Sequence, residues 1–141
     1  MSIEPPTLPP PPPPPAYAVP ADVGTLRVFV LVSLIVNALA TAGWLAATIA
    51  SGAATCGLGC LLIVIPVVTG VAIWLDAVAL SKLNQPPGPH VAAAVQTAGI
   101  MDIVAGVVSM SGVPLVLGIL ALVFLQKPEV AAYFNAPRQN G

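Results

Sequence analysis

Residues 28–50 contain no charged side chain across 23 consecutive positions. As a helix rising 1.5 Å per residue, such a run reaches about 35 Å, enough to cross a hydrocarbon core of about 30 Å. The rest of the chain is consistent with that destination. Only nine of 141 residues are charged, four Lys/Arg and five Asp/Glu, or 6%, where a soluble domain carries about 25%. With a mean hydropathy of +0.98, much of the apolar surface must face something other than water, and the lipid bilayer is the expected partner. A net charge of −1 without a basic cluster leaves nothing to neutralise phosphates, which excludes nucleic acid as a partner. Residues 1–26 carry no basic group ahead of the run, and the run exceeds the apolar core of a signal peptide, so it is expected to stay in the protein.

Composition changes near Asp22. Ten of the 17 prolines precede Ala21, and seven run consecutively from Pro9 to Pro15. Proline lacks an N–H and has a fixed φ, so residues 1–26 are expected to form a disordered, Pro-rich tail containing a polyproline II rod about 20 Å long. Leu8 followed by prolines has the form of a ligand for EVH1 or SH3 domains, although no Arg or Lys flanks it. A polyproline-binding partner and a plain spacer are both open readings.

Three further apolar stretches follow. Residues 51–55 read as a small-residue turn, and 60–81 as a second span with Asp76 as its only charge and a kink at Pro66 and Gly70. Residues 84–90 include Pro86, Pro87, Gly88 and Pro89, a loop that divides the chain into two hairpins. The third span, 91–110, is interrupted only by Asp102, and Ser111, Gly112 and Pro114 mark a reversal. The fourth, 112–126, is short. Its apolar part reaches only about 20 Å, so it continues through Lys127 and Pro128 towards Tyr133, sits in thinned bilayer, or re-enters; the reading preferred here is a short span followed by an interfacial turn beginning at Pro128. The fold class is therefore an all-α polytopic membrane protein. Four transmembrane helices form two hairpins within residues 27–135, followed by a C-terminal tail, 136–141. Pro66, Val68 and Gly70 recur in spacing as Pro114, Val116 and Gly118; a duplication would produce this echo, but so short a match is read as coincidence.

With four crossings, Arg27, Lys82, Lys127 and Arg138 all fall on one side. The positive-inside rule then places both termini and the 84–90 loop in the cytoplasm of a cell with a plasma-membrane location for the protein. Three crossings would set Arg27 and Lys82 opposite Lys127, so the charges favour the fourth. Trp44 and Tyr133 fall near the two membrane boundaries, where an aromatic belt is expected.

Asp102 is the leading functional candidate, because an ionisable side chain near the bilayer centre faces a bundle interior or a water-filled cavity. Counted from His90 it lies about 18 Å deep, and Asn37 counted from Arg27 about 15 Å, so the two are expected to share a layer and hydrogen-bond. Asp76 and Gln96, each about 9 Å deep, make a second possible layer. Ala92, Gln96, Gly99, Asp102, Gly106 and Ser109 recur at helical spacing, a small, polar packing seam expected to meet Ser33, Asn37, Thr41, Thr48 and Ser51 of the first span. Two readings of Asp102 stand: a proton or cation site, and a packing or intersubunit contact.

Cys56 and Cys60 bracket Gly57, Leu58 and Gly59. A disulfide between them and a pair of free thiols are both open, since i, i+4 spacing is marginal for a bridge. Two thiols need further ligands, and His90, the only histidine, is expected on the opposite side, so no metal site is expected. No cofactor signature, Ser/His/Asp set, phosphate-binding glycine loop or paired carboxylate in a cleft is present, which points away from an enzyme.

Lys127, Pro128, Glu129 and Val130, followed by Tyr133 and Phe134, resemble the ending of small bacterial four-span membrane proteins with Pro-rich N-termini. The resemblance implies a bacterial plasma-membrane protein and carries over no catalytic residue. Two functions are therefore expected: a non-enzymatic accessory or scaffold component packed against another membrane protein, or a small homo-oligomeric channel or carrier using Asp102. A cysteine introduced by Arg138→Cys is expected to react with a membrane-impermeant thiol reagent only from the cytoplasmic side; labelling from outside would overturn the four-crossing arrangement.

Overall fold

Pro20 accepts a hydrogen bond from the Val23 N–H at 3.0 Å and so opens helix α1 (Ala21–Ala54). Asp22 in the first turn complements the positive end of the helix dipole. The computed structural model describes residues 19–54 and 62–136. The Pro-rich run, Cys56, Cys60 and residues 137–141 lie outside the described residues. Four more helices follow: α2 (Val64–Leu83), α3 (Pro89–Val108), α4 (Gly112–Leu125) and α5 (Pro128–Asn135). Among the described residues there is no strand, and α1, α2 and α3 are each long and apolar enough to cross a membrane. Helices α4 and α5 reach that length and hydropathy only as a pair, bent by 69°, so the described residues offer three such elements, or four if the pair is one span.

Several boundaries differ from those read off the sequence, each for a local reason. The tail yields to helix by Ala21 rather than at residue 27, because Val23, Leu26 and Val30 recur at helical spacing and all enter the core. Residues 51–54 continue α1 instead of turning. The Thr48 hydroxyl donates to the Trp44 carbonyl at 2.7 Å and the Ser51 hydroxyl to that of Thr48 at 3.2 Å, so these polar groups are satisfied on the helix itself. Pro66 interrupts nothing: it is the third residue of α2, where an N–H would have no intrahelical acceptor. Pro114 occupies the same place in α4. Pro89 starts α3 rather than belonging to the loop, as its preset φ allows.

The reversal between α3 and α4 rests on Met110, with φ of 50°. The Ser111 N–H reaches the Gly106 carbonyl at 2.9 Å and the Met110 N–H that of Val107 at 3.2 Å. These two bonds make a Schellman ending with Met in the left-handed position usually given to Gly. Gly112, expected as part of the turn, is already the first residue of α4.

The packing has two halves. Near the end that carries Asp22 and Lys127, an apolar core gathers Leu26, Val30, Ala79, Val91, Val95 and Ala98. Helix α5 folds across it, burying Val130 and Phe134 to 0% and 2% exposure. Arg27 Nη2 donates to the Leu83 carbonyl at 2.9 Å, satisfying one of the orphan acceptors at the end of α2. Lys127 pairs with Asp22 at 3.0 Å. These contacts bring Arg27, the end of α2 and Lys127 to one end of the bundle.

Farther along, α3 and α4 approach through glycines. A Cβ on Gly118 would stand 2.5 Å from the Gly99 carbonyl oxygen, and one on Gly106 would stand 2.6 Å from the Leu115 nitrogen. The glycines of the expected seam thus meet α4 rather than α1, while its Asp102 does meet Ser33 and Asn37 of α1. Close backbone approach of this kind is how helices associate where no hydrophobic driving force separates protein from lipid. Gly118→Ala and Gly106→Ala are expected to destabilise the bundle by about 1–3 kcal/mol, read as a lower denaturation midpoint in detergent. Gly70→Ala, whose added carbon meets nothing within 4 Å, is expected to raise that midpoint slightly.

Candidate functional site

Three helices bring polar side chains to one place in an otherwise aliphatic bundle. Helix α1 supplies Ser33 and Asn37, one turn apart. Asp76 comes from α2 and Asp102 from α3. All are shielded, at 1%, 0%, 0% and 3% exposure. Their positions follow from periodicity: each lies on the face of its helix turned toward the other two, while Leu31, Ile35 and Leu39 of α1 and Val67, Val71 and Trp74 of α2 remain exposed.

The Asn37 amide is the centre. Its Nδ2 donates to Asp102 Oδ1 at 2.7 Å and to Asp76 Oδ2 at 3.3 Å, with Ser33 Oγ also at 3.3 Å. The Ser33 hydroxyl donates to Asp102 Oδ2 at 2.6 Å. Asp102 therefore has a donor on each oxygen at lengths typical of bonds to a carboxylate. Asp76 is served differently: its Oδ1 has no hydrogen-bond partner, and neither does Asn37 Oδ1. The two acids share one amide and are unequally satisfied by it.

A hydroxyl pair adjoins this group. Thr41 Oγ1 lies 2.6 Å from Thr69 Oγ1, and each also reaches the carbonyl four residues earlier, Asn37 at 2.8 Å and Ile65 at 3.0 Å. Each hydroxyl has one proton, so this pair is occupied with itself and the backbone. Helix α4 contributes no polar side chain. Its Gly118 instead lies so close that a Cβ there would be 3.0 Å from Asp102 Cβ, which shuts the back of the acid from the surroundings.

Not every residue singled out in the sequence comes to this place. Asn37, Asp76 and Asp102 do. Gln96, expected in a layer with Asp76, does not: it is exposed and lines a separate cavity of about 330 Å³ with Gln126, Asn135, Leu122, Leu125 and Phe134. Ala92 borders the same cavity. Gly99 and Gly106 serve the α3–α4 contact, and the Ser109 hydroxyl donates to the Ala105 carbonyl at 2.6 Å near the end of α3. Ser33 is a direct partner of Asp102 rather than only part of a polar stripe. Thr69 was not singled out, although it lies two helical turns before Asp76 on the same face of α2. Among the described residues, no group of three or more His, Cys, Asp or Glu side chains gathers as a metal set.

What the arrangement can do follows from its donors and acceptors. It ties three helices together by bonds that need an apolar environment to count fully, and it leaves two acceptor oxygens to take a positive charge or a proton. Asn37→Val removes the amide donors from both acids and is expected to destabilise the bundle by about 1–3 kcal/mol. Its denaturation midpoint in detergent should fall below that of Ser33→Ala, which removes one donor from one acid. Comparison of the chain with protein-family models, curated proteins and solved structures gives no match, so its function is argued from its own residues.

Proposed function

We propose that this protein is a small, non-enzymatic component of a bacterial plasma membrane that packs laterally against another membrane protein as an accessory or scaffold subunit. In this reading α1, α2, α3 and the bent α4–α5 element make four crossings. Both termini and the 84–90 loop lie in the cytoplasm, with Arg27, Lys82, Lys127 and Arg138 on that side. The Pro-rich tail then extends into the cytoplasm, available to a polyproline-binding partner.

The observation that carries this reading is the inward closure of the polar cluster. Ser33, Asn37, Thr69, Asp76 and Asp102 are all between 0% and 3% exposed. Ser33, Asn37, Asp76 and Asp102 bond to one another and Thr69 bonds to Thr41 of α1, an arrangement suited to holding a bundle together. The lateral surface is left to aliphatic side chains such as Leu31, Ile35 and Leu39, so shape and packing in the plane of the membrane are what it offers a neighbour.

A second reading, an oligomeric channel or carrier, is favoured by one specific observation, the unpartnered oxygens of Asp76 and Asn37. A single narrow bundle gives little room for an aqueous path, so this reading requires several copies. Gentle extraction from native membranes followed by native mass spectrometry separates the two. A different membrane protein at fixed stoichiometry is the expected result. A homo-oligomer alone would overturn the accessory reading in favour of transport.

A further inference from the structure

The two acids of the cluster differ in how they are held, and the difference picks out one of them. Asp102 receives Asn37 Nδ2 at 2.7 Å on one oxygen and Ser33 Oγ at 2.6 Å on the other. Asp76 receives a single long contact, 3.3 Å from Asn37 Nδ2 to Oδ2. Its Oδ1 is buried without a partner, as is Oδ1 of the same Asn37. A buried acceptor without a donor costs about 1–3 kcal/mol, more when charged. The two free oxygens belong to neighbouring side chains already joined through Nδ2 and Oδ2.

The donors nearby are committed. Asn37 has two amide hydrogens and gives them to two acids and Ser33. The Ser33 proton goes to Asp102, and the Thr41 and Thr69 hydroxyls reach each other and backbone carbonyls. Among the described residues, the charged and titratable groups of the packed helices lie at the far end. Arg27 is bonded to the Leu83 carbonyl and Lys127 to Asp22. Lys82 is in the last turn of α2, and His90 is the second residue of α3. Helix α4 carries no ionisable side chain.

Two acids in an apolar interior, one of them saturated and the other open, call for one positive charge on oxygen ligands. Divalent ions are poorly matched. Calcium takes six to eight oxygens, and magnesium keeps several waters, whereas this cluster is sealed by aliphatic side chains and by Gly118.

We propose that Asp76 and Asn37 form a binding site for one monovalent cation, held by Asp76 Oδ1 and Asn37 Oδ1 where α1, α2 and α3 meet. The ligand is a proton, carried on Asp76 Oδ1 and donated to Asn37 Oδ1; an alkali-metal ion needs more oxygens than these two, as the divalent ions do. Asp102 is the fixed partner that orients the Asn37 amide, and Asp76 is the group that loads and unloads. Occupancy joins α2 to α1 more firmly, so the site couples ion binding to helix packing.

The test uses the purified full-length chain in lipid nanodiscs, with two readouts on the same sample. Infrared spectra of protein labelled with carbon-13 in the aspartate carboxyl report a protonated acid as a carbonyl band distinct from the carboxylate bands. Equilibrium binding of radioactive sodium and rubidium reports an alkali ion. A carbonyl band at neutral pH is the expected result, vanishing in Asp76→Asn and surviving in Asp102→Asn. Absence of the band in the wild-type protein, or one bound alkali ion per chain in its place, would overturn the proposal without reliance on any variant. A signal that survives Asp76→Asn in folded protein but is lost in Asp102→Asn would overturn the assignment to Asp76.

Discussion

Asn37 donates to carboxyl oxygens on two different helices, and this is possible only if α1 presents that residue to the gap between α2 and α3. In an apolar interior the alternative is two acids without donors, which is expensive enough to fix the rotation of all three helices about their axes. Once those rotations are set, the rest of each helix follows from its period. On α1, Leu31, Ile35 and Leu39 are carried to the outside, and Ser33 falls one turn from Asn37 and finds the second oxygen of Asp102. Packing forces alone would not choose among rotations of helices that are aliphatic on nearly every face; a few directional bonds do.

The remaining helix is held by different means. Helix α4 contributes no polar group to the cluster and instead lies against α3 where Gly99, Gly106 and Gly118 permit backbone to meet backbone. The same closeness serves the site: with no side chain on Gly118, α4 covers Asp102 directly. Sealing and positioning are thus assigned to separate helices, glycines for the first and an amide with a hydroxyl for the second. At the other end, α5 turns across the bundle and closes it with Val130 and Phe134.

The helical class and the three long apolar helices were legible in the sequence because apolar runs of spanning length have few other homes, whereas the short fourth run is α4, bent against α5. Depth counting also paired Asn37 with Asp102, and these two are hydrogen-bonded. The same arithmetic set Asp76 with Gln96 instead of Asn37, and the reason is visible at Arg27. Its long side chain reaches to the Leu83 carbonyl, so the charged groups that mark the membrane boundary do not mark equal heights of their backbones. Gln96 was misplaced because spacing of three or four residues defines a stripe, while a stripe broad enough to include both Gln96 and Asp102 spans two faces of a helix. Helix ends were blurred for a related reason. Proline and glycine signal a break in sequence, yet Pro66, Pro114 and Gly112 all sit in first turns, where a missing N–H removes no intrahelical bond.

The ion pair between Asp22 and Lys127 joins positions 105 residues apart, and that separation has a consequence for the order of assembly. A chain made from its N-terminus presents α1 long before the helix that flanks it on this side exists. Phe29, which meets Phe124 edge to face at 5.2 Å, waits just as long. The polar cluster is built in sequence, Asn37 first, then Asp76, then Asp102, while the ring of helices closes only when the last apolar segment arrives. Contacts of such long separation pay loop-closure entropy before they return anything, and a half-exposed ion pair is too weak to drive the closure. In chain order the interior therefore has its amide and both acids before the seam between α1 and α4 has both of its sides.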